Sequence, residues 1–266
     1  MKNKIWPQHI IDKKKNGQKI IMLTAYDYLL AKLLDDMEID IILVGDSLGN
    51  MFCGYDNTLP VTIDQMIYHT QAVARAAKNT LVVADMPFLS YQVSVESAKL
   101  NAGRLLKEGG AKAVKVEVCS SNISYISEML DIGIPIMAHI GFTPQNTYKL
   151  GGYRVQGKTK EDSQYIIDLA KRCEEAGCFS VVLEMVPAKL AAEVSKVLSI
   201  PTIGIGAGPG CDGQVLVTQD LLGFDKDFAP KFVKKYVDLN QIIRDSVNSF
   251  KQDVKNGKFP DKGSSF

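Results

Sequence analysis

Residues 39–50 read IDIILVGDSLGN. A continuous apolar run ends on Asp46, Ser47 and a glycine turn, the pattern of a parallel strand buried on both faces that delivers polar side chains to its carboxyl end. The chain repeats the arrangement. LVVADMPF (81–88) brings a second run to Asp85, AVKVEV (113–118) carries Lys115 and Glu117 at the end of a third, and SVVLEM (180–185) places Glu184 on a later one. Helical periods separate these runs. Thr62 with Gln65 forms a capping box for IDQMIYHTQAVARAA, Ser94 caps SVESAKLNAGRLLKE, and a helix spans Thr159 to Ala176. The remaining strand candidates are KIIMLTAYD (19–27), IPIMAHIGF (134–142), IPTIGIGAG (200–208) and a last short one at KFVKKY (231–236).

Eight strand candidates alternate with helices, and no Pro/Ser-rich linker or charge block interrupts them. This predicts an α/β protein of one domain over 1–266, a single (β/α)8 barrel rather than a doubly wound sheet. A short opening helix from Pro7 to Asn16 precedes it, an amphipathic helix LNQIIRDSVNSFKQDVKNG closes it, and the tail FPDKGSSF is expected to be loose.

Composition limits the partners. The 266 residues are 46% hydrophobic, enough for a large core, and the formal net charge is +1 with basic residues spread along the chain. No electrostatic footprint of nucleic acid or an anionic membrane is present, so a small-molecule partner is expected. The five cysteines, Cys53, Cys119, Cys173, Cys178 and Cys211, are odd in number and form no CxxC pair, which argues for a reducing compartment without a disulfide framework. No segment reaches the roughly 18 apolar residues of a membrane span, and no signal-like run opens the chain. The expectation is a soluble cytoplasmic protein.

In a barrel, active residues come from the carboxyl ends of several strands, so Asp46, Asp85 and Glu117 are expected to ring one side of the mouth. Three hard oxygen donors suit magnesium, held directly or through water, and such an ion would chelate a 2-oxoacid. A strand-end aspartate also serves as a helix cap or loop partner, and Asp85 stands just before Met86-Pro87, so the structural alternative remains. Lys115 points the same way as Glu117 by the period of two, as a cation for a substrate carboxylate or as the salt-bridge partner of one of the acids. Glu184, two strands farther round, is the candidate base for a proton beside a carbonyl, or else another structural acid. His139 is a buried hydrogen-bonding histidine or a substrate contact. IGIGAG (203–208) lacks a following Walker Lys-Ser/Thr and reads as close backbone approach, and Cys211 has no paired base.

TAYD at Thr24, VGDSLG at Val44, GYDNTLPVTIDQMIYHTQAVARA from Gly54, ADMPF at Ala84, VKVE at Val114, HIGFTPQ at His139, GGYRVQG at Gly151, and IGIGAG with CDGQVLV from Ile203 together resemble ketopantoate hydroxymethyltransferases. The match runs in order from about Thr24 to Tyr236. The resemblance implies a barrel that transfers a hydroxymethyl group from 5,10-methylenetetrahydrofolate to 3-methyl-2-oxobutanoate, the first committed step of pantothenate biosynthesis. It also implies Mg2+ on Asp46, Asp85 and Glu117, oxoacid contacts from Asp46, Ser47, Asp85 and Lys115, and Glu184 as proton acceptor. A homo-oligomer, commonly a decamer, is implied as well. One departure is visible: TQDLLG carries Gln219 where many members have histidine, outside the catalytic set. The loop Gly151 to Gly157 is expected to cover the site. Two rivals stand beside this reading. A magnesium-dependent lyase or mutase on phosphoenolpyruvate-like or isocitrate-like substrates needs extra cationic clamps, for which Arg154 is the lone candidate; a non-catalytic scaffold would have lost a carboxylate.

Overall fold

The computed structural model describes residues 4–266. Eight parallel strands close into a barrel in sequence order: β1 (Ile20–Thr24), β2 (Ile41–Val44), β3 (Leu81–Asp85), β4 (Ala113–Glu117), β5 (Ile136–Gly141), β6 (Ser180–Glu184), β7 (Thr202–Ile205) and β8 (Gly213–Leu216), with β8 pairing back to β1. Around them lie α1 (Pro7–Lys15), α2 (Tyr28–Asp36), α3 (Leu48–Met51), α4 (Ile63–Ala76), α5 (Val95–Lys107), α6 (Ile123–Asp131), α7 (Thr147–Leu150), α8 (Lys160–Ala176) and α9 (Ala188–Val197). The capping signals act where the sequence places them. Thr62 and Gln65 form a reciprocal box at α4, the Ser94 hydroxyl accepts from Ser97 N at α5, and Thr159 accepts from Asp162 N at α8.

Two apolar layers form because β2 to β7 are covered on both faces, whereas Ile21 of β1 and Gln214 of β8 are exposed. Ile41 and Leu43 of β2, Leu81 and Val83 of β3, Ala113, Met137 and Val182 fill the barrel interior, and Ile10 of α1 joins them. The alternate residues Ile42, Val44, Val82, Ala84, Val114, Val116, Ala138, Ile140, Val181 and Leu183 pack beneath the helices. The period of two thus sorts one sequence run into two cores. Lys13 of α1 pairs with Asp40, and Lys14 Nζ lies 2.9 Å from Asp212, fixing the opening helix to the barrel.

The last strand is not where the sequence pattern places it. KFVKKY (231–236) forms turns and bends, and the barrel closes on GQVL at 213–216. The physical reason is the short gap between β1 and β7. A Cβ at Gly213 would lie 2.6 Å from the Ile20 carbonyl oxygen, so only glycine admits the close pairing of Ile20 and Ile203 with residue 213. A lysine-rich hexapeptide matches the strand period but not that crevice. No helix intervenes between β7 and β8, which is why the alternation hides this strand.

The structure divides into two compact units, the first running to Val217 and the second from Thr218 to Phe266. The second contains α10 (Thr218–Leu221) and α11 (Leu239–Lys255), and no side chain of α11 is buried. In this unit the Gln219 side-chain oxygen is enclosed without a hydrogen-bond partner among the described residues. All five cysteines are free thiols, and no helix among the described residues is long and apolar enough to cross a membrane.

Candidate active site

The same period of two that fills the interior with apolar side chains carries polar ones to the barrel mouth. Asp85 continues the inward row of Leu81 and Val83; Lys115 and Glu117 continue that of Ala113; His139 follows Met137, and Glu184 follows Val182. Register sets their neighbours: Asp85 pairs with Lys115, and Glu117 with His139. Asp46 lies just past β2, in a turn made tight by Gly45, where a Cβ would lie 2.7 Å from Ser47 Oγ. That turn aims the Asp46 N–H at Asp85 Oδ2, 3.0 Å away. Ser47 Oγ is 2.8 Å from the buried Tyr26 hydroxyl. The structure therefore brings together all six residues singled out from the sequence, Asp46, Ser47, Asp85, Lys115, Glu117 and Glu184, at one end of one barrel.

The cluster is buried, and its electrostatics follow from that. Burial, reinforced by Asp85, pushes the Asp46 carboxyl up to about 7 against the pull of Lys115 and a Gln145 hydrogen bond. Burial and Asp46 drive Glu117 well above the usual carboxylate range. For Lys115, burial opposes the charge, but Asp85, Asp46 and Glu117 outweigh it and hold the ammonium; its Nζ is 3.0 Å from Asp85 Oδ1. Burial raises Glu184 to about 7, only partly offset by Lys115. His139 lies between these two groups, with Nδ1 3.3 Å from Lys115 Nζ and Nε2 3.1 Å from Glu184 Oε2. Burial and Lys115 keep this imidazole well below its ordinary value, so it is neutral. With Nδ1 facing an ammonium, the proton belongs on Nε2, which lies close to Glu184 Oε2 but out of line for a hydrogen bond among the described residues. Of the two sequence readings of His139, the structure supports the buried hydrogen-bonding one.

Sequence reasoning missed Gln145. Its Nε2 donates to Asp46 Oδ2 and to the Met86 carbonyl, both at 2.9 Å, and its backbone N–H donates to Glu117 Oε1 at 3.0 Å. Its Oε1 accepts from the Tyr91 hydroxyl at 2.9 Å and from Gln92 Nε2 at 3.0 Å. One amide thus spaces two of the acids. The available signal was its position in HIGFTPQ, at the start of an unusually long loop after β5. Farther along that loop Tyr153 stacks on Phe142 at 4.9 Å, and Gln156 N donates to the carbonyl of Met185, the residue after Glu184, at 2.9 Å. Met185 has φ 47, a left-handed backbone that a methionine adopts only under constraint, here immediately beside the raised carboxyl. Burial, Glu184 and Asp46 all raise the Tyr153 phenol, so the loop stands within the field of the acids.

The donor set fits a hard divalent cation. Asp46, Asp85 and Glu117 are buried oxygen donors, and Asp46 is destabilised as an anion by burial and by Asp85, a repulsion that a bound cation relieves. Among the described residues no three acid, histidine or cysteine side chains converge into a ready cage. Gln145 and Asn146, whose Nδ2 is 3.2 Å from Glu117 Oε2, take up acceptor positions. Such a set would hold a hard cation in an open site through these carboxylate oxygens rather than in a closed cage.

Comparison with known proteins bears on which chemistry this arrangement performs. Residues 4–262 match the family model described as ketopantoate hydroxymethyltransferase. A 3-methyl-2-oxobutanoate hydroxymethyltransferase from Geobacter metallireducens is 58% identical over 253 residues, covering 95% of each chain. One of the same name from Clostridium novyi is 56% identical over 249 residues, 94% of this chain and 90% of that one. The fold is also similar to that of a phosphoenolpyruvate phosphomutase from Streptomyces platensis, with TM-score 0.61 over 93% of this chain and 88% of that one. At 13% identity that likeness shows shared architecture alone. The near full-length identities select one branch of this barrel architecture: the chain belongs to the ketopantoate hydroxymethyltransferase family and is a hydroxymethyltransferase.

Proposed function

We propose that this enzyme transfers a hydroxymethyl group from 5,10-methylenetetrahydrofolate to 3-methyl-2-oxobutanoate, giving 2-dehydropantoate, with Mg2+ held by Asp46, Asp85 and Glu117. The observation that carries the reading is Glu184, a buried carboxyl raised to about 7 and set 3.1 Å from a neutral histidine. A base for a carbon acid works best with a pKa near the operating pH, and burial supplies that here. Glu184 removes the proton from the branched carbon next to the ketone, with the neutral His139 ring packed beside its carboxylate. Lys115, kept cationic by its acidic neighbours, pairs with the substrate carboxylate, and Asp46, Ser47 and Asp85 complete the oxoacid contacts, Ser47 being positioned by Tyr26. A divalent cation held by Asp46, Asp85 and Glu117 would supply positive charge for the developing enolate. The enolate carbon then attacks the folate-borne one-carbon unit, and addition of water with release of tetrahydrofolate completes the transfer.

The loop carrying Tyr153 and Gln156 is tied to Met185 and serves as the cover that keeps water from the enolate. The enzyme acts in the cytoplasm, in keeping with five free thiols, on small molecules and with neither nucleic acid nor a membrane as partner. It assembles as a homo-oligomer, the family's decamer. What supports assembly is α11, whose Ile242, Val247, Phe250 and Val254 are about half exposed in the single chain. Proton NMR of 3-methyl-2-oxobutanoate in deuterated buffer tests the central step. Loss of the signal at the branched carbon, dependent on Mg2+, is expected; wild-type protein that neither exchanges this proton nor forms product with the folate refutes the substrate assignment.

A further inference from the structure

Basic residues are spread along the sequence, but folding collects four of them at the end of the barrel opposite the acid ring. A cavity of about 530 Å³ opens there between the ends of α4 and α5 and the beginnings of β3 and β4. Arg75 reaches it from the last turn of α4, Lys78 from the link to β3, Lys112 from the entry to β4, and Lys4 from the segment before α1. A 2.7 Å hydrogen bond from Ile5 N to the Asn79 carbonyl fixes that segment beside Lys78. Asp85, Lys115 and Glu117 stand at the other ends of the same two strands, so the cavity is separate from the candidate active site.

None of the four cations has a carboxylate partner among the described residues; Lys4 Nζ instead lies 5.4 Å from the centroid of the Trp6 ring. The one acid on the lining, Glu108, is taken up by Arg104 at 2.9 and 3.1 Å, and Arg104 reaches Asp64 on its other side. Four positive charges therefore face one space in a chain whose formal net charge is +1. The carbonyl ends of α4 and α5 answer part of this, each worth roughly half a negative charge, and they explain cations such as Arg75 and Lys78. Most of the positive charge is left over, and Lys4 and Lys112 come from outside both helices. The floor is kept open by two successive glycines. Gly110 has φ 81, and a Cβ there would lie 3.0 Å from Ala74 Cβ, while one on Gly109 would lie 2.5 Å from the Leu105 carbonyl oxygen. The turn after α5 thus lies flat against α4 with no side chain filling the space.

We propose that this cavity binds a small ligand bearing two or three phosphate groups. Lysine ammonium groups arriving from separate segments act as point charges around such a polyanion, and Arg75 adds a planar fork for one phosphate. A single phosphate would meet only one or two of the four cations and would fill a small part of the volume. Ala74, Ala77 and Val82 give the lining an apolar patch for the organic part of the ligand. A concave site in a chain otherwise near neutrality suits a small molecule better than an extended polyanion, which needs a continuous basic surface. The site stands apart from the reaction at the mouth, and its ligand follows from the charge and shape of the lining.

Calorimetric titration of the full chain, free of divalent metal, with inorganic tripolyphosphate at constant ionic strength tests the site. Saturable binding of about one equivalent per chain is expected. Lys112→Gln and Arg75→Gln should each weaken it about tenfold or more, as the loss of a charge-assisted contact does. Arg75 is exposed, so its replacement leaves the packing of α4 intact. Lys171→Gln, at an exposed position of α8 that does not line the cavity, should stay within about twofold of wild type. A change in the fluorescence of Trp6, the only tryptophan of the chain, with the same midpoint places the ligand beside Lys4. Absence of saturable binding overturns the site. So does an affinity lowered equally by all three substitutions, which is general charge attraction. Citrate binding more tightly than tripolyphosphate overturns the assignment to phosphate.

Discussion

Replacing Glu184 by Gln separates catalysis from stability in a way the structure lets one calculate. Burial raises this carboxyl from 4.5 to about 7, so the folded chain binds its proton more tightly than the unfolded one. For an acid with a raised folded pKa the cost is absent below the unfolded value, grows between the two values, and is fully present above the folded one. At about 1.36 kcal/mol per unit, the ionised Glu184 destabilises the fold by about 3 kcal/mol at pH 8 and by almost nothing at pH 4.5. Gln has the same shape, keeps an oxygen toward His139 Nε2, and carries no charge to desolvate. Glu184→Gln is therefore expected to lose proton exchange on the oxoacid and at the same time to gain about 2–3 kcal/mol at pH 8, a rise in Tm of roughly 5–10 °C for a protein of this size. Near pH 5 the gain should shrink severalfold. Thermal unfolding at both pH values, paired with the NMR exchange assay, measures both effects on one sample. A variant no more stable than wild type at pH 8 would show that the carboxylate is not held against its desolvation cost. Retained exchange would remove Glu184 from the role of base.

Further outcomes follow from the same geometry. With Glu184 titrating at about 7, the unprotonated fraction falls about tenfold from pH 8 to pH 6, and the exchange rate measured across that range should fall with it. Gln145→Leu strips a hydrogen bond from Asp46 and one from the Tyr91 hydroxyl, which is left with the Glu117 carbonyl at 3.3 Å, and urea unfolding should register a loss of about 1–3 kcal/mol; an unchanged midpoint would mean that this amide does not hold the acids apart. Gly141→Ala forces a Cβ to 2.4 Å from the Glu184 carbonyl oxygen at a φ of 95°, so thermal unfolding should show a loss of more than about 3 kcal/mol, with exchange reduced as the β5 to β6 pairing shifts. The proposed assembly through α11 predicts that Phe250→Asp on its exposed face lowers the sedimentation coefficient, and a coefficient equal to that of wild type refutes α11 as an assembly contact.

The ring of polar residues at the barrel mouth was legible in advance because a buried parallel strand leaves a double imprint on sequence. Its apolar run gives the element, and the first polar residue past that run gives the mouth of the barrel. Asp85, Lys115, Glu117 and Glu184 are all of this kind, and Asp46 differs only by a glycine turn. Helix starts were equally visible, since Thr62, Ser94 and Thr159 act within three residues of their own backbone. The eighth strand was not. GQVL has four residues and no helix before it, and its identity depends on the space left between β1 and β7, whereas KFVKKY carries the right alternation in the wrong place.

The sequence by itself determined the barrel, the acids at its mouth and, through motif after motif in order, the family. These are local or periodic properties, written within a few residues of where they act. Tertiary structure alone decided what those acids do to one another. That Gln145 lies across Asp46 and Glu117, that His139 is neutral between Lys115 and Glu184, and that Glu184 is raised to about 7 all depend on residues tens of positions apart being brought to about 3 Å and sealed from water. Hydrogen bonding and desolvation act over that distance in space, whatever the separation along the chain.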